Sequence, residues 1–156
     1  MTERQIFQTI LAHQAPPRFP KVGYMQLSFV PGEHSMDPNG GYDWFGVHWT
    51  RNPDGTQVVT PGPKRLESFT QWREAMPAGV NEEEMKHFGA LAQADYDRVN
   101  KVQVVGIQSG HFERMENLVG MEEALCAFYE CPEEIDAFFD AMTEFKIEMF
   151  RQIKKY

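Results

Sequence analysis

Cysteine is scarce, long apolar runs are missing and positive charge is in deficit. The 156 residues hold two cysteines, Cys126 and Cys131. Five apart, with Pro132 beside the second, they form no CxxC and have no histidine at metal-ligand spacing. That excludes a zinc ribbon or a disulfide framework. They read as reduced thiols of a cytosolic protein. No apolar stretch approaches the roughly 18 residues of a membrane helix. Met1-Thr2-Glu3-Arg4-Gln5 opens an amphipathic helix rather than a basic-then-apolar leader, so the expected location is cytoplasmic. Lys and Arg number 15 against 23 Asp and Glu, a net charge of −8. Nucleic acid and anionic membranes are therefore excluded as expected partners. No GxGxxG, P-loop, GxSxG or HExxH occurs, so no catalytic residue is named by motif.

What is present suits a packed core. Apolar residues make up 42% and aromatics 13%, ordinary values for a folded domain. The negative charge is concentrated. Residues 111–148 carry eleven carboxylates against two cations, Arg114 and Lys146, a pattern expected of solvated helix faces.

Thr2 and Gln5 fit a capping box, and Pro16-Pro17 ends the helix that follows. Residues 22–30 alternate as a strand, with Met25, Leu27 and Phe29 on one side. Pro31 to Gly41 reads as a loop. Tyr42 to Thr50 is aromatic-rich and β-prone. Asn52-Pro53-Asp54-Gly55 turns it into Thr56 to Thr60, a hairpin. A short helix is predicted from Ser68 to Met76. A longer one is predicted from Asn81 to about Val99, with Met85, Phe88, Leu91 or Ala92, and Val99 inward.

Val102 to Gln108 is a nearly continuous apolar strand, which predicts cover on both faces and strand neighbours on both edges. Gly110 turns into a helix from His111 to Val119, Gly120 breaks it, and Met121 to Tyr129 resumes. Pro132 opens a final helix with Ile135, Phe138, Phe139, Met142, Phe145, Met149, Phe150 and Ile153 on one stripe. A strand followed by helices is one repeat of an α/β fold.

In parallel sheets, ligands bind beyond the carboxyl ends of the strands. That rule selects Gln108, Ser109, Gly110, His111 and Glu113 as candidate substrate-binding positions, against a bland reading in which Ser109 caps the next helix. Asp43 and His48 form a second candidate group, with Trp44, Phe45 and Trp49 available to floor a flat ligand. Those aromatics are also natural core residues, and Asp43 and His48 need not meet. His13, His34 and His87 receive no role.

The order of elements carries a resemblance. A short helix runs to a proline break, Thr2-Glu3-Arg4-Gln5 through His13-Gln14-Ala15-Pro16-Pro17-Arg18-Phe19-Pro20. An Asp-aromatic-x-Gly-Val-x-Trp block spans Asp43 to Trp49. Then come Val104-Val105-Gly106-Ile107-Gln108-Ser109-Gly110-His111-Phe112-Glu113, a Leu118-Val119-Gly120-Met121-Glu122 step, and Cys131-Pro132-Glu133-Glu134. Over essentially its whole length the chain resembles the N-terminal portion of the uroporphyrinogen decarboxylase superfamily. It is closer to the branch of corrinoid and coenzyme M methyltransferases and O-demethylases. The haem-pathway Arg-Gln-Ala-Gly-Arg signature is not matched: Val22-Gly23-Tyr24-Met25-Gln26-Leu27 stands there.

The resemblance implies an α/β fold, the helix-rich N-terminal half of a (β/α)₈ TIM barrel, an architecture needing about 250 residues. Residues 1–100 would form an extension with a hairpin and helices, and 101–156 the first clear β/α unit. The expected function is that of a truncated methyltransferase or O-demethylase acting with a corrinoid protein or a small molecule. The segment by itself would be inactive and hold no metal or cofactor. Zinc and a corrinoid partner would belong to the full-length form. Two alternatives stand beside this: a non-catalytic module that closes its sheet edges as a homodimer, and a tetrapyrrole decarboxylase.

Overall fold

Thr2 starts the first helix as its sequence demands. Its Oγ1 accepts the Gln5 N–H at 3.2 Å and its own N–H donates to the Gln5 side chain at 2.8 Å, opening α1 (Glu3–Leu11). The computed structural model describes residues 1–21, 23–35, 37–94 and 96–156. Val22, expected to open the first strand, Met36 of the following loop and Asp95 of the expected second helix lie outside the described residues.

Two small sheets follow. β1 (Met25–Phe29) and β5 (Val102–Gly106) pair in parallel, Met25 opposite Val102 and Phe29 opposite Gly106. Between them in sequence, β2 (Gly41–Tyr42), β3 (His48–Arg51) and β4 (Gln57–Val59) form an antiparallel sheet in that order. The β3–β4 hairpin turns at Asn52–Gly55, where the Gly55 N–H reaches the Asn52 carbonyl at 2.9 Å.

The stretch from Tyr42 to Thr50 is not one strand. Asp43 Oδ1 accepts the N–H groups of both Phe45 and Val47 at 2.9 Å. This side-chain capture folds residues 43–47 into a turn and splits the stretch into β2 and β3.

The short helix is a 3₁₀ segment, Phe69–Glu74, capped by Ser68. α2 runs Glu82–Ala94, with Asn81 Oδ1 accepting the Glu84 N–H at 3.2 Å. It stops short of Val99 because the Asp97 carboxylate takes the N–H groups of Val99 and Asn100 at 3.1 and 2.9 Å, a local alternative to the helix. Val99, expected inward, is 70% exposed.

α3 (His111–Val119), α4 (Met121–Glu130) and α5 (Pro132–Ile153) follow, with Gly120 between the first two. Ile135, Phe138, Met142, Phe145 and Met149 of α5 are buried in a core shared with Phe45, Trp49, Phe69, Trp72 and Met115. Phe138 meets Phe69 and Trp72 edge-on at 5.3 and 5.5 Å between ring centres. Phe150, expected on the same stripe, is half exposed.

The molecule is thus mixed α/β, with more helix than strand. β5 differs from its expected setting. Val105 packs on the core, but the other face of the β1–β5 pair is open: Met25, Leu27 and Phe29 are 41%, 52% and 43% exposed. Among the described residues β5 pairs with β1 alone. The pairing joins residues on both sides of the expected division at residue 100. No helix of the described residues is long and apolar enough to cross a membrane.

Candidate functional site

The carboxyl ends of β1 and β5 open on a cleft of about 400 Å³, within the range of small-ligand pockets. Phe29, His34, Arg51, Gln57 and Gln108 line it. The chain after β1 is buried from Pro31 to Glu33. Gly32 permits this: a Cβ there would fall 2.0 Å from the Trp44 ring. The loop therefore delivers His34 to the cleft, its ring tilted at 45° to that of Trp49 with 4.1 Å between ring centres. Burial lowers the His34 pKa, and the nearby Arg114 guanidinium lowers it further. The imidazole is neutral near pH 7 and one ring nitrogen can accept a proton.

Beneath the cleft lies a buried ionic network. Arg114 has no exposed surface and sits 4.0 Å over the Phe45 ring. Its Nη1 donates to Asp43 Oδ2 at 2.6 Å and its Nη2 to the Glu33 carbonyl at 2.9 Å. Lys146 Nζ donates to Glu33 Oε1 and to the Gln108 carbonyl, both at 3.1 Å. Two cations and two carboxylates balance in charge. They tie α3 and α5 to the loop after β1, to the hairpin sheet and to the end of β5.

Arg114 Nε has no hydrogen-bond partner among the described residues, and Glu33 is also incompletely satisfied. Burial raises its pKa, partly offset by Lys146 and Arg114. Its Oε2 lies 3.7 Å from Arg114 and, like the buried Ser109 Oγ, has no hydrogen-bond partner among the described residues. A carboxyl group in this setting can carry a proton nearer to neutrality than an exposed one.

The seven residues singled out from sequence are dispersed. Gln108 lines the cleft. Ser109 is buried behind it with φ at 51°, and Gly110, not Ser109, occupies the N-cap of α3. Glu113 reaches back to the Gly110 N–H at 3.2 Å. His111 turns to α5, bonded to Thr143 Oγ1 at 3.1 Å and edge-on to Phe139. Burial, then Lys146, lowers its pKa. Asp43 is buried and accepts four donors, from the N–H groups of Phe45 and Val47, Trp49 Nε1 and Arg114. His48 lies apart from Asp43, bonded to Thr60 Oγ1 at 2.7 Å. Phe45 and Trp49 are core residues, 1% and 4% exposed.

Glu33, His34, Arg51, Arg114 and Lys146 escaped the sequence reading. One signal was available for two of them. Arg114 and Lys146 are the only cations of the acidic segment and fall on the apolar stripes of their helices, beside Met115 and Leu118 and beside Met142 and Met149. The chain matches no protein-family model, no curated protein and no solved structure.

Proposed function

We propose that the chain forms one wall of a (β/α)₈ barrel of the uroporphyrinogen decarboxylase-like kind. The assembled activity is methyl transfer or O-demethylation with a corrinoid protein. The observation that carries this reading is the β1–β5 pair, with its packed face, its open apolar face and a cleft lined by His34, Arg51, Gln57 and Gln108 at its carboxyl ends. Barrel strands bury such an apolar face against the strands opposite, and place active sites at their carboxyl ends. In this arrangement Met25, Leu27 and Phe29 fill the barrel interior. Arg51 holds an anionic substrate group at the mouth, and neutral His34 takes up a proton. The chain alone is inactive.

Zinc, which the resemblance attaches to the methyltransferases, does not fit residues of this chain. Among the described residues no three His, Cys, Asp or Glu side chains gather to hold a metal. Cys126 is exposed on α4. Burial pushes the Cys131 thiol up, and Glu134 and its neighbours add to the rise. That is the reverse of a thiol prepared as a thiolate ligand.

The test is complementation with a separately produced C-terminal half of such a barrel. The mixture is expected to melt in one transition, to protect the outer-edge amides of β1 and β5 from exchange, and to transfer a methyl group to cob(I)alamin. His34→Ala should slow that transfer. A chain that is already a cooperative monomer with slowly exchanging edge amides overturns the reading. Decarboxylation of uroporphyrinogen in place of methyl transfer moves it to the haem-pathway branch. The outer edges of β1 and β5, without a strand partner among the described residues, also favour a second reading, closure by another copy of the chain, which a mass rising with concentration in light scattering would support.

A further inference from the structure

A second cavity, of about 580 Å³, lies away from the strand ends, between the hairpin sheet and the junction of α3 with α4. Its walls carry Lys64, Arg65, Asn117 and Glu116, with Tyr42 and His48 at one side. The segment bearing the two cations is fixed to the end of α3 by the Leu66 N–H, which donates to the Leu118 carbonyl at 3.0 Å. Leu66 itself is buried.

Each cation lies over a glycine. At Gly46 (φ 76°) a Cβ would stand 2.7 Å from Arg65 Nε, and at Gly120 (φ 81°) 3.0 Å from Lys64 Cε. Both glycines line the cavity. Arg65 donates to the Glu74 carbonyl at 3.2 Å, and among the described residues no carboxylate pairs with either cation. The buried Asn117 Nδ2 has no acceptor among the described residues.

Two cations, Lys64 and Arg65, thus line one cavity against one carboxylate, Glu116. The rings of Tyr42 and His48 meet edge-on, 4.7 Å between centres, and offer flat apolar surface beside them. The volume is in the range of small organic ligands, not of a bare ion. We infer that this cavity binds a small organic anion, a carboxylate or phosphate monoester carried on a flat ring, held by Lys64 and Arg65. Charge-assisted bonds to such an oxyanion are roughly twice as strong as neutral ones. The site shares no lining residue with the strand-end cleft, and it does not depend on the barrel reading.

The test is titration of the whole chain with benzoate and with phenyl phosphate, followed by NMR at the Gly120 and Met121 amides and the Asn117 side-chain amide. Saturable shifts with either probe support the site, and the stronger probe identifies the anion as carboxylate or phosphate. Lys64→Gln with Arg65→Gln, both exposed positions, should weaken binding by about tenfold or more. Glu116→Gln should tighten it several-fold by removing the opposing charge. Neutral phenol should leave the spectrum unchanged. No saturable shift with either anion at millimolar concentration overturns the inference. So does phenol binding as tightly as the anions, or an affinity that the double substitution leaves unchanged.

Discussion

Arg114 is among the largest buried side chains of the described residues. It is fully buried and shares its guanidinium between Asp43 and the Glu33 carbonyl. Removing one member of a buried ionic set strands the others without partners. Arg114→Ala is therefore expected to destabilise the fold by roughly 3–5 kcal/mol, read from urea denaturation. Glu33 behaves in the opposite sense. Burial raises its folded pKa above the unfolded value. Its contribution is thus fully present below the ordinary glutamate pKa and is lost as pH rises through the raised value. Glu33→Gln removes that loss, so the stability of the variant relative to the parent should climb as pH goes from 4 to 8. Denaturation at a series of pH values checks the slope, and a flat or falling difference contradicts it.

At the scale of elements, α5 organises the core through one stripe. Phe138 has no exposed surface and touches Phe69 and Trp72, whereas Phe150 is 56% exposed. Phe138→Ala should cost about 3–5 kcal/mol by transfer and cavity terms. Phe150→Ala should stay within about 0.5 kcal/mol. A pair of denaturation midpoints separates the two, and equal effects would mean the stripe is rotated. The helices were legible because period and caps agree: Thr2 with Gln5, Asn81 with Glu84, Pro132 at the first position of α5. The misread boundaries, at Asp43 and Asp97, are places where one carboxylate captures backbone N–H groups. Periodicity carries no trace of that competition.

For the whole molecule, the open face of β1 and β5 is the dominant feature. Three large apolar residues stand half exposed in a row on β1, and contiguous apolar surface of this kind marks a place of contact. Wild-type chain is expected to enhance the fluorescence of a dye that binds exposed apolar surface. Leu27→Glu should cut that enhancement without loss of far-ultraviolet circular dichroism. Unchanged dye binding in the variant would place the exposed apolar surface elsewhere, for example on the outer side of α4, where Leu125, Phe128 and Tyr129 are also exposed.

The sequence alone determined the helices, the β3–β4 hairpin and the apolar strand from Val102, expected to reach Gln108 and ending at Gly106. These follow from local period, turn chemistry and caps, which act over a few residues. It also marked the strand end at Gln108 as a place for ligands. Tertiary structure decided the rest. It paired β1 with β5 across more than seventy residues of chain, which no local pattern encodes. It brought His34 and Arg51 to the strand ends from a loop and a hairpin. It turned Asp43 from a candidate ligand into a buried anchor for Arg114, because a carboxylate's role depends on the donors that folding sets around it, and those donors come from distant segments.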